Sequence, residues 1–240
     1  MATSRGMIEE QTIFSSYLQE DISLLIYLPE NFSPLYKYSL LIVQDGKDYI
    51  QLGRLPRLAD QLLDNDEIDN TIIVAIPYNN VKDRRNKYHP EGEQSEAYIR
   101  FIAHELTPYL DKIFPTYQMG MGRILMGDSL AATVSLRTAL KYPNTFGKVI
   151  LQSPYVDDSV LEEVRAFTQT PLLDIYHIIG KKETAVKTTD GGTKNFIEPN
   201  RELHTLMNEK GFNSFYEEFD GDHTWKYWQP DLKRALKMML

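Results

Sequence analysis

Arg123-Ile124-Leu125-Met126-Gly127-Asp128-Ser129-Leu130-Ala131-Ala132 is the stretch on which the reading of this chain turns. A short apolar run, Arg123 to Met126, leads into Gly127, Ser129 follows, and a small-residue stretch from Leu130 to Leu140 has helical composition. The order strand, glycine, serine, helix fits the pattern G-x-S-x-G, with Ala131 in place of the second glycine. The turn demands those residue types. A serine on a strained turn has neighbours two positions away that press on the adjacent strand and helix, where glycine and alanine fit and a branched side chain would clash. The departing helix aims its first N–H groups at the serine, where they stabilise negative charge. Ser129 is therefore a candidate nucleophile; the competing reading is that it only caps the helix, a position serine favours.

On the N-terminal side of this stretch, Ile22 to Leu28 reads as a strand that ends at Pro29. Tyr38 to Val43 and Thr71 to Ile76 are nearly continuous apolar runs, as expected of strands buried on both faces. Lys148 to Gln152, Leu173 to Ile179 and Ser214 to Phe219 supply further strands. Between them lie helical patterns: Leu55 to Leu63, Ser95 to Phe114, Leu130 to Leu140, Glu198 to Lys210 with Gly211 just past its end, and Pro230 to Leu240. Strands alternating with helices predict an α/β fold with a mostly parallel central sheet and helices on both faces. A single domain is expected over residues 1–240. Residues 78–94 read as a long polar loop and Lys181 to Asn195 as the least ordered stretch.

The composition narrows the function. The chain has 240 residues, 42% hydrophobic and 25% charged, which suits one well-filled core. A formal net charge of −8 argues against a nucleic-acid or anionic-membrane surface. There is no cysteine, which excludes disulfides, thiolate metal sites and a cysteine nucleophile. The first residues lack the apolar segment of a secretory leader, and the apolar runs are too short to span a bilayer, so a cytoplasmic location is the expectation.

A serine nucleophile needs a base, and among five histidines His223 is the candidate. It follows a late strand, in a tight loop with Gly221 and Asp222, where folds built on the strand–turn–helix serine deliver their base. His177 falls within a strand, His104 and His204 on helices and His89 in the polar loop, where structural roles are expected. In such folds the acid lies between the serine and the histidine. Glu183, just past the strand ending at Gly180, is the candidate, with Asp190 next and Asp220 and Asp174 as further alternatives. The oxyanion needs two backbone donors. Leu130 N–H is one, and Lys47 N–H, after the strand that ends at Gln44-Asp45-Gly46, is the other. Gly127 to Leu130 also spells GDSL, the string of a different hydrolase family on a different fold, and Asp220-Gly221-Asp222-His223 fits that family's Asp-x-x-His pattern. There, however, the block opens the domain, whereas about 120 residues precede it here, and no Gly-x-Asn-Asp block accompanies it.

With these residues assembled, the chain resembles the esterase family that includes esterase D, feruloyl esterases, mycolyltransferases and enterochelin esterases. The resemblance runs through Ile26-Tyr27-Leu28-Pro29, Asp45-Gly46, Asp83-Arg84-Arg85, Phe101 to Pro108, the Ser129 turn, Tyr142 to Gly147, Gln152-Ser153-Pro154, Asn200 to Leu203, and Gly221-Asp222-His223 with Trp225 and Trp228. Order and spacing carry it, rather than any one piece. The nearest likeness is to the enterochelin-esterase-like branch, on the Gly180 to Glu183 segment and the His-x-Trp-x-x-Trp ending. The family usually has glycine at 131 and often at 132, where this chain has alanine. The resemblance implies an α/β-hydrolase fold and hydrolysis of a small-molecule carboxylic ester with no metal or other cofactor; a monomer or homodimer is expected.

For the substrate, Arg84, Arg85 and Lys87 form a basic cluster in an acidic chain, able to hold an anionic group, with a solvated loop or an Arg84–Glu105 pair as the plainer reading. Trp225 is a candidate aromatic wall, with Tyr227 and Trp228 beside it. A siderophore ester is the first expectation and a small acyl ester or thioester the second. The rival from another class is a non-catalytic binding protein on the same scaffold.

Overall fold

A strand with apolar residues at successive positions feeds two cores at once. In Ser39–Gln44, Leu40 and Ile42 pack into one hydrophobic cluster while Leu41 and Val43 pack into another. That is the consequence of a two-residue side-chain period in a sheet covered on both sides. The computed structural model describes residues 5–189 and 191–240.

In chain order the elements begin with β1 (Met7–Ser15), β2 (Glu20–Leu28), β3 (Ser39–Gln44), α1 (Gly46–Gln51), α2 (Leu55–Asp64) and β4 (Thr71–Ile76). They continue with α3 (Val81–Tyr88), α4 (Ser95–Arg100), a π-helical segment (Phe101–Leu106), α5 (Thr107–Ile113), β5 (Arg123–Asp128), α6 (Leu130–Lys141) and β6 (Lys148–Gln152). The remainder is α7 (Asp158–Ala166), β7 (Asp174–Gly180), the short pair β8 (Val186–Lys187) and β9 (Thr193–Lys194), α8 (Ile197–Lys210), β10 (Asn213–Phe219) and α9 (Trp225–Met239). Eight strands make one sheet in the order β1-β2-β4-β3-β5-β6-β7-β10. The β1–β2 and β2–β4 pairs are antiparallel, and from β4 to β10 all neighbours are parallel. Residues of α1, α2 and α9 pack on one face, and residues of α3 to α8 on the other. Among the described residues no helix is long and apolar enough to cross a membrane.

The departures from the sequence reading have local causes. Residues 78–94 are not an irregular loop: α3 lies within them, capped by Asn80, whose side chain accepts from Asp83 N–H at 3.0 Å. Its sequence, VKDRRNKY, has no apolar stripe to betray it; ion pairs hold it instead, Lys87 to Glu20 at 2.5 Å and to Asp83 at 2.6 Å. Residues 95–113 are helical throughout, but Thr107 N–H reaches back to Ile102 O, a π-type turn beside Pro108, which has no N–H to donate. The last helix starts at Trp225 rather than Pro230, which lies inside it. The stretch from Lys181 to Asn195 contains the β8–β9 pair. Both β1, a half-exposed antiparallel edge, and α7 went unread.

Candidate active site

β5 runs into the serine turn through backbone that only small residues permit. Ser129 has φ 53° and ψ −125°, outside the helical and strand regions, and α6 begins at the next residue. A Cβ on Gly127 would stand 2.3 Å from the Ala131 carbonyl carbon, so residue 127 must be glycine for strand and helix to cross this closely. Ala131 and Ala132 are fully buried beneath the turn. The first helical bond of α6 is Thr133 N–H to Ser129 O at 3.1 Å, which leaves Leu130 N–H outside the helical ladder and at the mouth of the turn.

The loop after β7 and the loop after β10 meet beside this serine. His223 Nδ1 lies 2.7 Å from Glu183 Oε2, and the Glu183 side chain is wholly buried. The other carboxylate oxygen accepts from Gly180 N–H at 2.8 Å and from the Ser153 hydroxyl at 2.6 Å. Trp228 Nε1–H in turn donates to Ser153 Oγ at 3.0 Å. Both oxygens of the buried carboxylate thus accept hydrogen bonds from protein donors, which offsets the cost of its burial. The imidazole is fixed sideways as well, edge-on to Phe196 at 4.7 Å and to Trp228 at 4.8 Å. Gly180 is required here, since a Cβ would meet Gly221 O at 2.6 Å and Glu183 Oε1 at 2.7 Å.

Asp220, the alternative acid, pairs with Lys182 at 3.1 Å with its side chain 79% exposed. Asp174 bonds Asn213 at the far end of β7, and Asp190 lies outside the described residues. The other four histidines have structural partners or packing. His177 is buried against Asn200, with Nε2 2.7 Å from Oδ1, and burial pushes its pKa down to about 4. His104 meets Tyr142, His204 stacks on Tyr216, and His89 packs on Tyr155.

The turn after β3 holds one residue in the left-handed region. The left-handed residue is Asp45, at φ 55°, not Gly46. Gly46 is needed for a different reason: a Cβ would stand 2.6 Å from the backbone of Ala75 and Ile76. Asp45 is held in its conformation by Arg84, whose Nε donates to both carboxylate oxygens at 2.9 Å and whose second nitrogen donates to Oδ2 at 2.5 Å. The basic cluster read from the sequence therefore divides. Arg84 is committed to Asp45, Lys87 to Glu20 and Asp83, and Glu105 binds the Ser15 hydroxyl rather than Arg84. In α1 the Asp48 and Tyr49 N–H groups bond Asp45 O, so Lys47 N–H precedes the first hydrogen-bonded turn.

A cavity of about 240 Å³ opens over the turn, lined by Ser129, Leu130 and His223 together with Arg84, Arg85 and Trp228. Lys47 and Trp225 are not among its lining residues. Trp225 packs edge-on against Tyr49 at 4.7 Å, on the α1 side of the sheet.

The comparisons with known proteins bear on this arrangement. The Esterase family model, described as "Putative esterase", matches residues 15–239. The chain belongs to this esterase family. A Bacillus subtilis (strain 168) relative, the uncharacterized protein YjcH, is 56% identical over 240 residues and aligned over the full length of both chains. Among solved structures, a ferulic acid esterase aligns at a TM-score of 0.79 with 17% identity, over 98% of this chain and 97% of that one. The Shigella flexneri enterobactin esterase aligns at a TM-score of 0.83 with 18% identity, over 97% of this chain and 58% of that one. At such identities the structural likeness is one of fold: an α/β-hydrolase sheet with its helices.

For this esterase the sequence reading missed the residues that converge on the cavity from afar. Phe196, Tyr155, Val186, Lys187 and Lys194 line it, and Lys194 Nζ donates to Tyr155 OH at 2.6 Å. Ser153 does not line the cavity and acts on the site through its bonds to Glu183 and Trp228. Its φ of 48° was invisible in Gln152-Ser153-Pro154, although serine before proline is a turn signal.

Proposed function

We propose that this chain is a serine esterase that cleaves a compact carboxylic ester through an acyl-enzyme, with Ser129, His223 and Glu183 as its triad. The observation that carries the reading is the 2.7 Å pair of His223 Nδ1 with the buried Glu183 carboxylate, beside the strained Ser129 in one cavity. With Nδ1–H donated to Glu183, the imidazole keeps its Nε2 lone pair for the Ser129 proton. Ser129 Oγ attacks the ester carbonyl, His223 takes the proton and returns it to the departing alkoxide, and water then repeats the cycle on the acyl-enzyme. Leu130 N–H, which borders the cavity, is the first proposed oxyanion donor; Lys47 N–H, ahead of the first helical bond of α1, is the second, although Lys47 stands outside the cavity's lining. The Arg84–Asp45 pair fixes the turn that carries Lys47, so Arg84 serves as a positioning residue.

The volume supports a compact ester, since about 240 Å³ falls below the roughly 300–1,000 Å³ of cavities that hold drug-sized ligands. A second reading, a siderophore ester, draws support from the cations at the cavity, Arg85, Lys187 and Lys194, with one arm of the ligand entering. Hydrolysis of p-nitrophenyl acetate and butyrate by wild type and Ser129→Ala, with fluorophosphonate labelling, tests the proposal. Loss of both turnover and label in Ser129→Ala is expected. A wild type that is inert and unlabelled would move the reading to a non-catalytic binding protein.

A further inference from the structure

One ionisable group of the cavity has no task in this scheme. Asp128 ends β5 immediately before Ser129 and lines the cavity, yet it is only 6% exposed. Its Oδ1 is buried and has no hydrogen-bond partner among the described residues. Ile124 and Met126, on the same face of the strand, lie in the apolar cluster with Tyr49 and Trp228. Packing alone would favour an apolar side chain at this position.

The charged and titratable groups around Asp128 come from three places: Asp45 in the β3–α1 turn, Asp48 and Tyr49 in α1, and Arg84 in α3. Tyr49 donates its hydroxyl to Gln152 Oε1 at 3.0 Å. Arg84 is the one cation of the set, and it makes three bonds to Asp45. Asp45 and Arg84 thus neutralise each other, and Asp128 has no counter-ion of its own. A buried carboxylate in that position is costly. Burial, reinforced by the negative charge of Asp45 and against the pull of Arg84, raises Asp128 well above the usual carboxylate range. A carboxyl kept neutral is a hydrogen-bond donor, as in enzymes that hold a protonated acid in an apolar site. Asp128 lines the same cavity as Ser129, its neighbour in the chain, so its carboxyl borders the space that a bound ester would fill beside the carbon that Ser129 attacks.

We propose that Asp128 is a specificity-determining residue that donates a hydrogen bond to an oxygen of the substrate close to the scissile carbonyl. The class it selects is an oxygenated acyl ester, carrying an alkoxy, hydroxy or oxo group, over a plain alkyl ester of the same length. This rests on the esterase reading above. Ionised, the same group would set a negative charge beside the oxyanion and oppose its formation. Activity on the preferred esters therefore falls on the alkaline side as Asp128 loses its proton.

The test compares kcat/KM for p-nitrophenyl methoxyacetate and p-nitrophenyl butyrate, which differ by an oxygen in place of a methylene. Their ratio is corrected for the hydroxide-catalysed rates and measured across pH for wild type, Asp128→Asn and Asp128→Ala. One hydrogen bond corresponds to a preference of about tenfold. Wild type should show it, Asp128→Asn should keep part of it through its amide N–H without the alkaline fall, and Asp128→Ala should return to the intrinsic ratio. Infrared difference spectra of wild type against Asp128→Asn read the proton without turnover and should show a protonated-carboxyl band at neutral pH. A wild-type ratio preserved in Asp128→Ala, or an ionised Asp128 at neutral pH, in an enzyme that still hydrolyses both esters, overturns this proposal and leaves the esterase reading standing. Inertness on both esters, with Ser129 unreactive to fluorophosphonate, overturns the esterase reading and this proposal with it.

Discussion

Replacing Glu183 by glutamine tests the site at the point where its hydrogen bonds leave least freedom. Oε1 accepts from Gly180 N–H and the Ser153 hydroxyl, and Oε2 accepts from His223 Nδ1–H. An amide has one acceptor and one donor end. Gly180 N–H is main chain and cannot turn, so the glutamine oxygen stays in the Oε1 position and the NH₂ faces the imidazole. His223 must then accept at Nδ1 and carry its proton on Nε2, where it cannot take the Ser129 proton. The same tautomer fault in the Ser-His-Asp proteases lowers kcat by about 10⁴. The escape is to flip the amide, which sets NH₂ against the Gly180 and Ser153 donors. Leaving two buried donors unmet costs at least about 2 kcal/mol, so the productive flip is populated at roughly one in thirty or less. The expected loss in kcat on p-nitrophenyl acetate lies between about 30-fold and 10⁴-fold, with the thermal midpoint measured alongside to exclude unfolding. Asp220→Asn, at the exposed Lys182 pair, should stay within about twofold of wild type, because such surface pairs contribute little. A Glu183→Gln enzyme within tenfold of wild type, or an equal loss in Asp220→Asn, would refute the reasoning.

Three further outcomes follow from the packing. Gly127→Ala places a methyl 2.3 Å from Ala131 backbone and should lower stability by about 2–3 kcal/mol or prevent folding, read as a shift of the urea midpoint; an unchanged midpoint contradicts the close strand–helix crossing. Arg84→Met strips the cation from a buried carboxylate and should cost about 3–5 kcal/mol at neutral pH. Burial already raises Asp45 against the pull of Arg84, and without that pull the folded-state value rises further above the unfolded one. The deficit is then full above the folded value and shrinks as pH falls through it, so the Tm gap between wild type and variant should be narrower at pH 5 than at pH 8; a constant gap refutes it. His177 has the opposite sign. Its folded value of about 4 lies below the unfolded 6.5, so the stability it contributes is present above 6.5 and lost as pH falls toward 4. Between pH 7 and pH 5 that amounts to about 2 kcal/mol, a loss that denaturant titrations should find in wild type and not in His177→Gln.

Much of the sheet was legible because the buried strands announce themselves. Thr71–Ile76 and Lys148–Gln152 are apolar runs with turn signals at both ends, and their limits agree residue for residue with the structure. Where an element lacks an apolar pattern the sequence was silent. α3 is held by a cap and ion pairs, and β1 is a half-exposed edge. Proline misled at α9: read as a first helical residue, Pro230 lies within a helix that starts at Trp225.

By itself, then, the sequence determined the alternating α/β architecture, the Gly127–Ser129 turn and the candidates Ser129, His223 and Glu183. It could do so because a side-chain period, a glycine forced by backbone approach and the chain order of a nucleophile, acid and base are properties of local sequence. Only the tertiary structure decided that Glu183 and not Asp220 faces His223, and that Arg84 serves Asp45. It likewise decided that Trp228 lines the cavity while Trp225 packs edge-on against Tyr49 and Trp228. Those outcomes depend on which of several chemically similar groups meets a donor or cation across 39 or 40 residues of chain, and pairing at that range is set by how the strands and helices pack.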